Sequence, residues 1–208
     1  MVEERIFSRS GRISAEQRMA FALARYDSFS QEQAHRDPLT RVYHAEYFRK
    51  RFTHELRKAN HCEKDLSVLV MNLDNLHDSR SLFGPRFTGK ALAAAATAIL
   101  ESIRPGDAAA RLGEEEFVVL FPETEIEGAC VAAERIRARI ARKSLHLLNT
   151  ELRASAGVSH FPSHAMTEEG LLNAAKRALY MAKKNGENQT AVFNPDPGAK
   201  PKVLLFYL

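Results

Sequence analysis

Arg104-Pro105-Gly106-Asp107-Ala108-Ala109-Ala110-Arg111-Leu112-Gly113-Glu114-Glu115-Glu116-Phe117 carries most of what this chain discloses about its architecture. An alanine-rich run ending near Ile103 is halted by Pro105 and Gly106, which do not continue a helix. Apolar residues follow from Ala108 to Leu112 and from Phe117 to Phe121, so two short strands are expected around a turn at Gly113, Glu114 and Glu115. Three adjacent glutamates repel one another unless a cation or a donor sits among them. The tip therefore reads as a metal site or as a solvated turn.

The remaining elements follow from periodicity. Ser14-Ala15-Glu16-Gln17 has capping-box spacing, and Met19, Leu23 and Tyr26 share a stripe, which predicts a helix over 15–26 suited to docking or dimerisation. Helices are expected over 44–59, 90–103, 125–142 and 168–184, and strands over 66–74, 152–159 and 190–193. The strand over 66–74 is of the buried type, and its period of two places Asn72 and Asp74 on one side. After Asn194 an extended linker, P-D-P-G-A-K-P-K, leads to Val203-Leu204-Leu205-Phe206-Tyr207-Leu208. This apolar end reads as an edge strand or groove filler, or as a peptide offered to a partner.

Composition narrows the class. With 208 residues and 45% apolar side chains, the chain suits one domain with two tails. A net charge of +4 suits phosphate ligands, but the 30 basic residues are scattered among 26 acidic ones, so general nucleic-acid binding is not expected. Cys62 and Cys130 lie far apart without metal-ligand spacing, which suggests neither a disulfide framework nor zinc and points to a reducing cytoplasm. No signal sequence or membrane span is expected, since the longest apolar run, Ala91 to Leu100, is short and mostly alanine.

Gly113-Glu114-Glu115-Glu116-Phe117 resembles the signature of the GGDEF family, the diguanylate cyclases that join two GTP molecules into cyclic di-GMP. Arg104-Pro105-Gly106-Asp107 stands at the spacing of that family's R-x-x-D inhibitory site for product, and Arg135 at the distance of the arginine that joins it. Asp37-Pro38-Leu39-Thr40 is similar to the family's entry motif, and Ala178-Leu179-Tyr180-Met181-Ala182-Lys183 to its A-L-Y-x-A-K. The resemblance covers residues 37–194, leaving 1–36 as an N-terminal tail with a helix and 195–208 as a C-terminal tail with an apolar end. It implies an α+β fold like the nucleotidyl-cyclase palm. That fold has a central, mostly antiparallel five-stranded sheet, built on a β-α-β-β-α-β core and flanked by helices.

The substrate half-site departs from the family pattern. Asn72 stands for the metal-binding aspartate, Arg80 for the guanine-reading asparagine, and Gly89 or Lys90 for the guanine-reading aspartate. Glu114 replaces the second glycine and Glu187 the phosphate-side arginine, while Glu115, Glu116 and Lys183 are kept. On these departures the expectation is a degenerate domain that is not an enzyme and needs no cofactor, magnesium entering only with residual activity. Cyclic di-GMP would be its ligand, held by the Arg104 and Arg135 forks and the Asp107 carboxylate. Occupancy would pass to a protein partner through the tails, with ligand-linked homodimerisation. The alternatives are a residual or altered nucleotide enzyme and a nucleotide-independent scaffold.

Overall fold

The computed structural model describes residues 34–74 and 76–195, with the side chains of residues 77–80 outside the description. Of the chain's two compact units, Met1–His35 and Arg36–Leu208, the second contains the sheet and its helices. The helix expected over 15–26 and the apolar end Val203–Leu208 lie outside the described residues.

Alternation along one strand organises the fold. In β2 (Leu66–Leu73), Val68 and Val70 face one side while Leu69, Met71 and Leu73 face the other, and all are fully buried because both faces are covered by helices. The first face packs on α1 (Ala45–Cys62) and α4 (Glu168–Lys184) through Phe48, Phe52, Leu171 and Leu179. The second packs on α2 (Leu76–Leu100) and α3 (Ile126–Leu148) through Ile99, Ile136 and Ile140. Cys130 lies in that second core, where burial pushes its thiol up to about 12, far from a reactive thiolate. Both cysteines are free.

The other strands are β1 (Tyr43–His44), β3 (Ala108–Arg111), β4 (Glu116–Pro122), β5 (Ala154–Phe161) and β6 (Thr190–Val192), in the order β1-β3-β4-β2-β5-β6. The three inner pairings are antiparallel, and the two edge strands join in parallel. The sheet is thus mostly antiparallel as expected, but it has six strands instead of five. The additional strand, β1, is two residues long and forms when Tyr43 and His44 align with Ala110 and Arg111. Ahead of it, the Asp37 carboxylate accepts from the Thr40 backbone N–H at 2.7 Å and from its hydroxyl at 2.6 Å, which closes the entry turn.

Two helices differ instructively. α4 has the expected limits because its ends are marked chemically. The Thr167 side chain caps the Gly170 N–H, worth about 1 kcal/mol, Glu168 and Glu169 fill the first turn, and Lys183 and Lys184 the last. α2 begins well before the expected residue 90, because the chain passes Gly84 in a left-handed conformation, φ 78°, and resumes the helix at Pro85. Leu82 and Phe83 in the early segment stay exposed, so no apolar stripe announces it. Gly157 sets the distance between β5 and α4, since a Cβ there would lie 2.1 Å from the Ala175 carbonyl oxygen. Among the described residues no helix is long and apolar enough to cross a membrane.

Candidate functional site

The β3–β4 hairpin carries a cluster of charged side chains at each end. Residues 107 to 113 separate them by about 20 Å at the usual rise per strand residue.

At the start of β3, the turn Arg104–Asp107 closes on itself. Gly106, φ 104°, lets the chain reverse, and the Asp107 N–H donates to the Arg104 carbonyl at 3.1 Å. The Asp107 carboxylate accepts from the Arg104 N–H at 2.9 Å and from its Nε at 3.2 Å. Arg104 Nη2 donates to the Pro122 carbonyl at 2.6 Å and to Thr124 Oγ1 at 2.7 Å, tying the turn to the end of β4. Arg135, on α3, donates to the Ser102 carbonyl at 2.8 Å and lies close enough for its charge to act on Asp107. Burial outweighs these partners and pushes the Asp107 carboxyl above its ordinary value, while hydrogen bonds from Arg104 and the charges of both arginines hold it down in part. All three residues expected here are thus brought together. A fourth, Arg51 on α1, donates to the Gly106 carbonyl at 3.3 Å; at 55 residues' distance, no spacing signals it.

At the tip, Arg111 holds the backbone by donating to the Gly113 carbonyl at 2.9 Å and the Glu114 carbonyl at 2.6 Å. Glu116 pairs with Lys176 of α4 at 2.9 Å. The Glu115 carboxylate has no hydrogen bond or ion pair among the described residues. Across the strand, Lys183 donates to Asn72 Oδ1 at 2.8 Å. Asp74 Oδ2 accepts from the Asn188 N–H at 3.0 Å, and its Oδ1 is buried with no partner. Glu187 lies exposed beyond α4 in a left-handed conformation, φ 59°. Gly89 packs near Leu39, Lys90 is exposed, and the Arg80 side chain is outside the description. Arg111 and Lys176, which organise this end, escaped the sequence reading because their partners are set by strand register and by helix packing.

Magnesium, which the family implies, is usually held by one or two protein carboxylates beside phosphate oxygens. Here the amide oxygen of Asn72 already receives the Lys183 ammonium, while the Glu115 carboxylate has no partner among the described residues and one oxygen of Asp74 is buried without a donor. A neutral amide bonded to a cation does not fit a divalent ion between positions 72 and 115.

A family model described as "Diguanylate cyclase, GGDEF domain" matches residues 34–189. Diguanylate cyclase DosC of Escherichia coli (strain K12) is 28% identical over 171 residues, which are 81% of this chain and 37% of DosC. The chain spans well under half the length of the curated relatives it matches. Among solved structures, the active GGEEF domain of a diguanylate cyclase from Vibrio cholerae is 26% identical with a TM-score of 0.64, covering 69% of this chain and 92% of that one. The GGDEF domain of DgcB from Caulobacter crescentus, in complex with c-di-GMP, shares the fold at 21% identity and a TM-score of 0.69, covering 76% of this chain and 95% of that one.

These relatives overturn the expectation of a degenerate, non-enzymatic domain. They are diguanylate cyclases, and the Vibrio cholerae domain is described as active with a GGEEF signature, from which Gly113–Phe117 differs at Glu114 alone. Substitutions read one by one as losses of function sit in a framework whose matched relatives are enzymes. With its six-stranded sheet, its hairpin signature and a family match over residues 34–189, the chain belongs to the GGDEF family of diguanylate cyclase domains.

Proposed function

We propose that this chain is a diguanylate-cyclase-type domain with an altered substrate half-site, and that it recognises cyclic di-GMP at Arg104, Asp107 and Arg135. The observation that carries the second part is the pairing of Arg104 with an Asp107 side chain only 4% exposed. A cyclic dinucleotide presents guanine O6 and N7 acceptors, N1 and N2 donors and two phosphates. Arginine forks match the acceptors and phosphates, and a carboxylate matches the donors. Because Arg104 covers the carboxylate, ligand entry exchanges its bonds to Pro122 and Thr124 for bonds to guanine or phosphate.

The tip is the nucleotide half-site in this reading. Lys183 and Lys176 supply the cations that face a polyphosphate, Glu115 is the unengaged carboxylate, and Glu114 and Glu187 set the altered preference. Cyclic di-GMP occupancy then reaches a protein partner through the 1–36 or 195–208 tail, or a second copy of the chain through the ligand, in a cytoplasmic setting. The test combines two measurements: chromatography of GTP incubated with protein and magnesium, and calorimetric titration of cyclic di-GMP into nucleotide-free protein beside Arg104→Ala. Cyclic di-GMP formation supports the enzymatic part, and binding lost in the variant supports the second site. Absence of any nucleotide turnover overturns the first, and absence of heat and of any melting shift overturns the second.

A further inference from the structure

The turn between Arg104 and Asp107 is approached from both faces of the sheet. Arg135 comes from α3 on one side, and Arg51 from α1 on the other, its Nη2 donating to the Gly106 carbonyl at 3.3 Å. Arg51 is held there by Glu55, one helical turn further along, whose Oε1 lies 2.9 Å from the Arg51 Nε and whose side chain is 7% exposed. The Nε is buried against that carboxylate without a well-formed hydrogen bond. The side chain nonetheless keeps 38% of its surface, so the exposed part is its other atoms and not the anchored Nε.

We infer that Arg51 is a fourth ligand-binding residue of the cyclic di-GMP site, an inference that rests on reading the Arg104–Asp107 turn as that site. An arginine kept only to brace a loop carbonyl has no need of an exposed end, and one bond at 3.3 Å leaves most of its five donors unused. Arg104 keeps its Nε on Asp107 and releases only its Nη2 bonds to Pro122 and Thr124 on ligand entry, and Arg135 spends one donor on Ser102. Two phosphates and two guanine edges are four groups each best met by a planar fork, and these two arginines supply only two. Arg51 supplies a planar fork at the same turn, prepositioned by a buried carboxylate, and its partner is a phosphate or the O6/N7 edge of guanine. Glu55 is then a positioning residue.

Calorimetric titration of cyclic di-GMP into the full chain tests this, with Arg51→Ala, Arg51→Lys and Arg104→Ala compared and ligand-free melting recorded for each. Arg51→Ala is expected to weaken binding about tenfold, and Arg51→Lys, which keeps the charge without the fork, to restore only part of it. If both Arg51 variants bind within twofold of the parent while Arg104→Ala does not bind, Arg51 merely braces the turn and the inference fails alone. If the parent protein itself neither binds nor shifts in melting, the reading of the turn fails and takes the inference with it. Should the alanine variant not fold, Arg51→Lys decides the matter, since weaker binding at unchanged melting is not the signature of a brace.

Discussion

The two ends of the β3–β4 hairpin treat charge in opposite ways. At the turn, Arg104 and Asp107 satisfy each other and the surrounding backbone, and two more arginines, 51 and 135, bond to nearby carbonyls. At the tip, the Glu115 carboxylate is unengaged among the described residues, and the nearby Asp74 Oδ1 is buried without a donor. One end is thus preorganised with basic residues in excess, and the other keeps acceptors in reserve. Preorganised forks lose little freedom when an anion arrives, whereas unsatisfied acceptors await a donor or cation.

The contrast predicts that each end can be altered without the other. The largest effect is expected for Arg104→Ala, which removes several charge-assisted bonds and should weaken cyclic di-GMP binding about 100-fold by calorimetry. An equal loss of GTP turnover would show that the ends are not separate. Next comes Asn72→Asp combined with Glu114→Gly, which restores a carboxylate and opens the tip. Magnesium-dependent formation of cyclic di-GMP should rise by about tenfold or more, with binding at the turn unchanged. An unaltered rate would move the cause of the altered preference elsewhere, with Glu187 next to be examined.

A smaller effect follows from Asp107. Burial raises its folded-state value, so its contribution to stability is present below the ordinary carboxylate range and lost as pH rises through the raised value. Binding has the opposite sign, because guanine donors require the ionised form. Affinity measured as pH is lowered from 7 should begin to fall at a higher pH than an ordinary aspartate would impose, and a profile with no fall through the carboxylate range would place the carboxylate outside the contact. The smallest effect serves as a control remote from both ends. Burial first, and the charge of His160 second, depress the His164 imidazole, which accepts from the His160 N–H at 3.1 Å. Its contribution to stability is therefore present above about pH 6.5 and lost as pH falls towards the depressed value. Thermal melting should show a shallow decline there that His164→Phe removes, separating general destabilisation from the Asp107 titration.

Legibility followed the range of the interactions. The strands at 66–73 and 116–122 and the helix at 168–184 were visible because burial on both faces and capping chemistry are written locally. The start of α2 was not, since exposed Leu82 and Phe83 followed by Gly84-Pro85 read as a break. The Arg104/Asp107 pair was visible because its members are three residues apart. Lys183 meeting Asn72 and Arg51 meeting Gly106 were not, the partners lying 111 and 55 residues apart on separate elements.

By itself the sequence determined the two-faced central strand, the hairpin with its acidic tip and the likeness to a cyclase signature. All three depend on side-chain period, turn residues and short spacing. Only the tertiary structure decided which charges meet. It led Lys176 to Glu116 and Lys183 to Asn72, left Glu115 unengaged among the described residues, and brought Arg51 to the turn from the opposite face to Arg135. Hydrogen bonds and ion pairs act within a few ångströms, and that distance is set by how helices seat on the sheet.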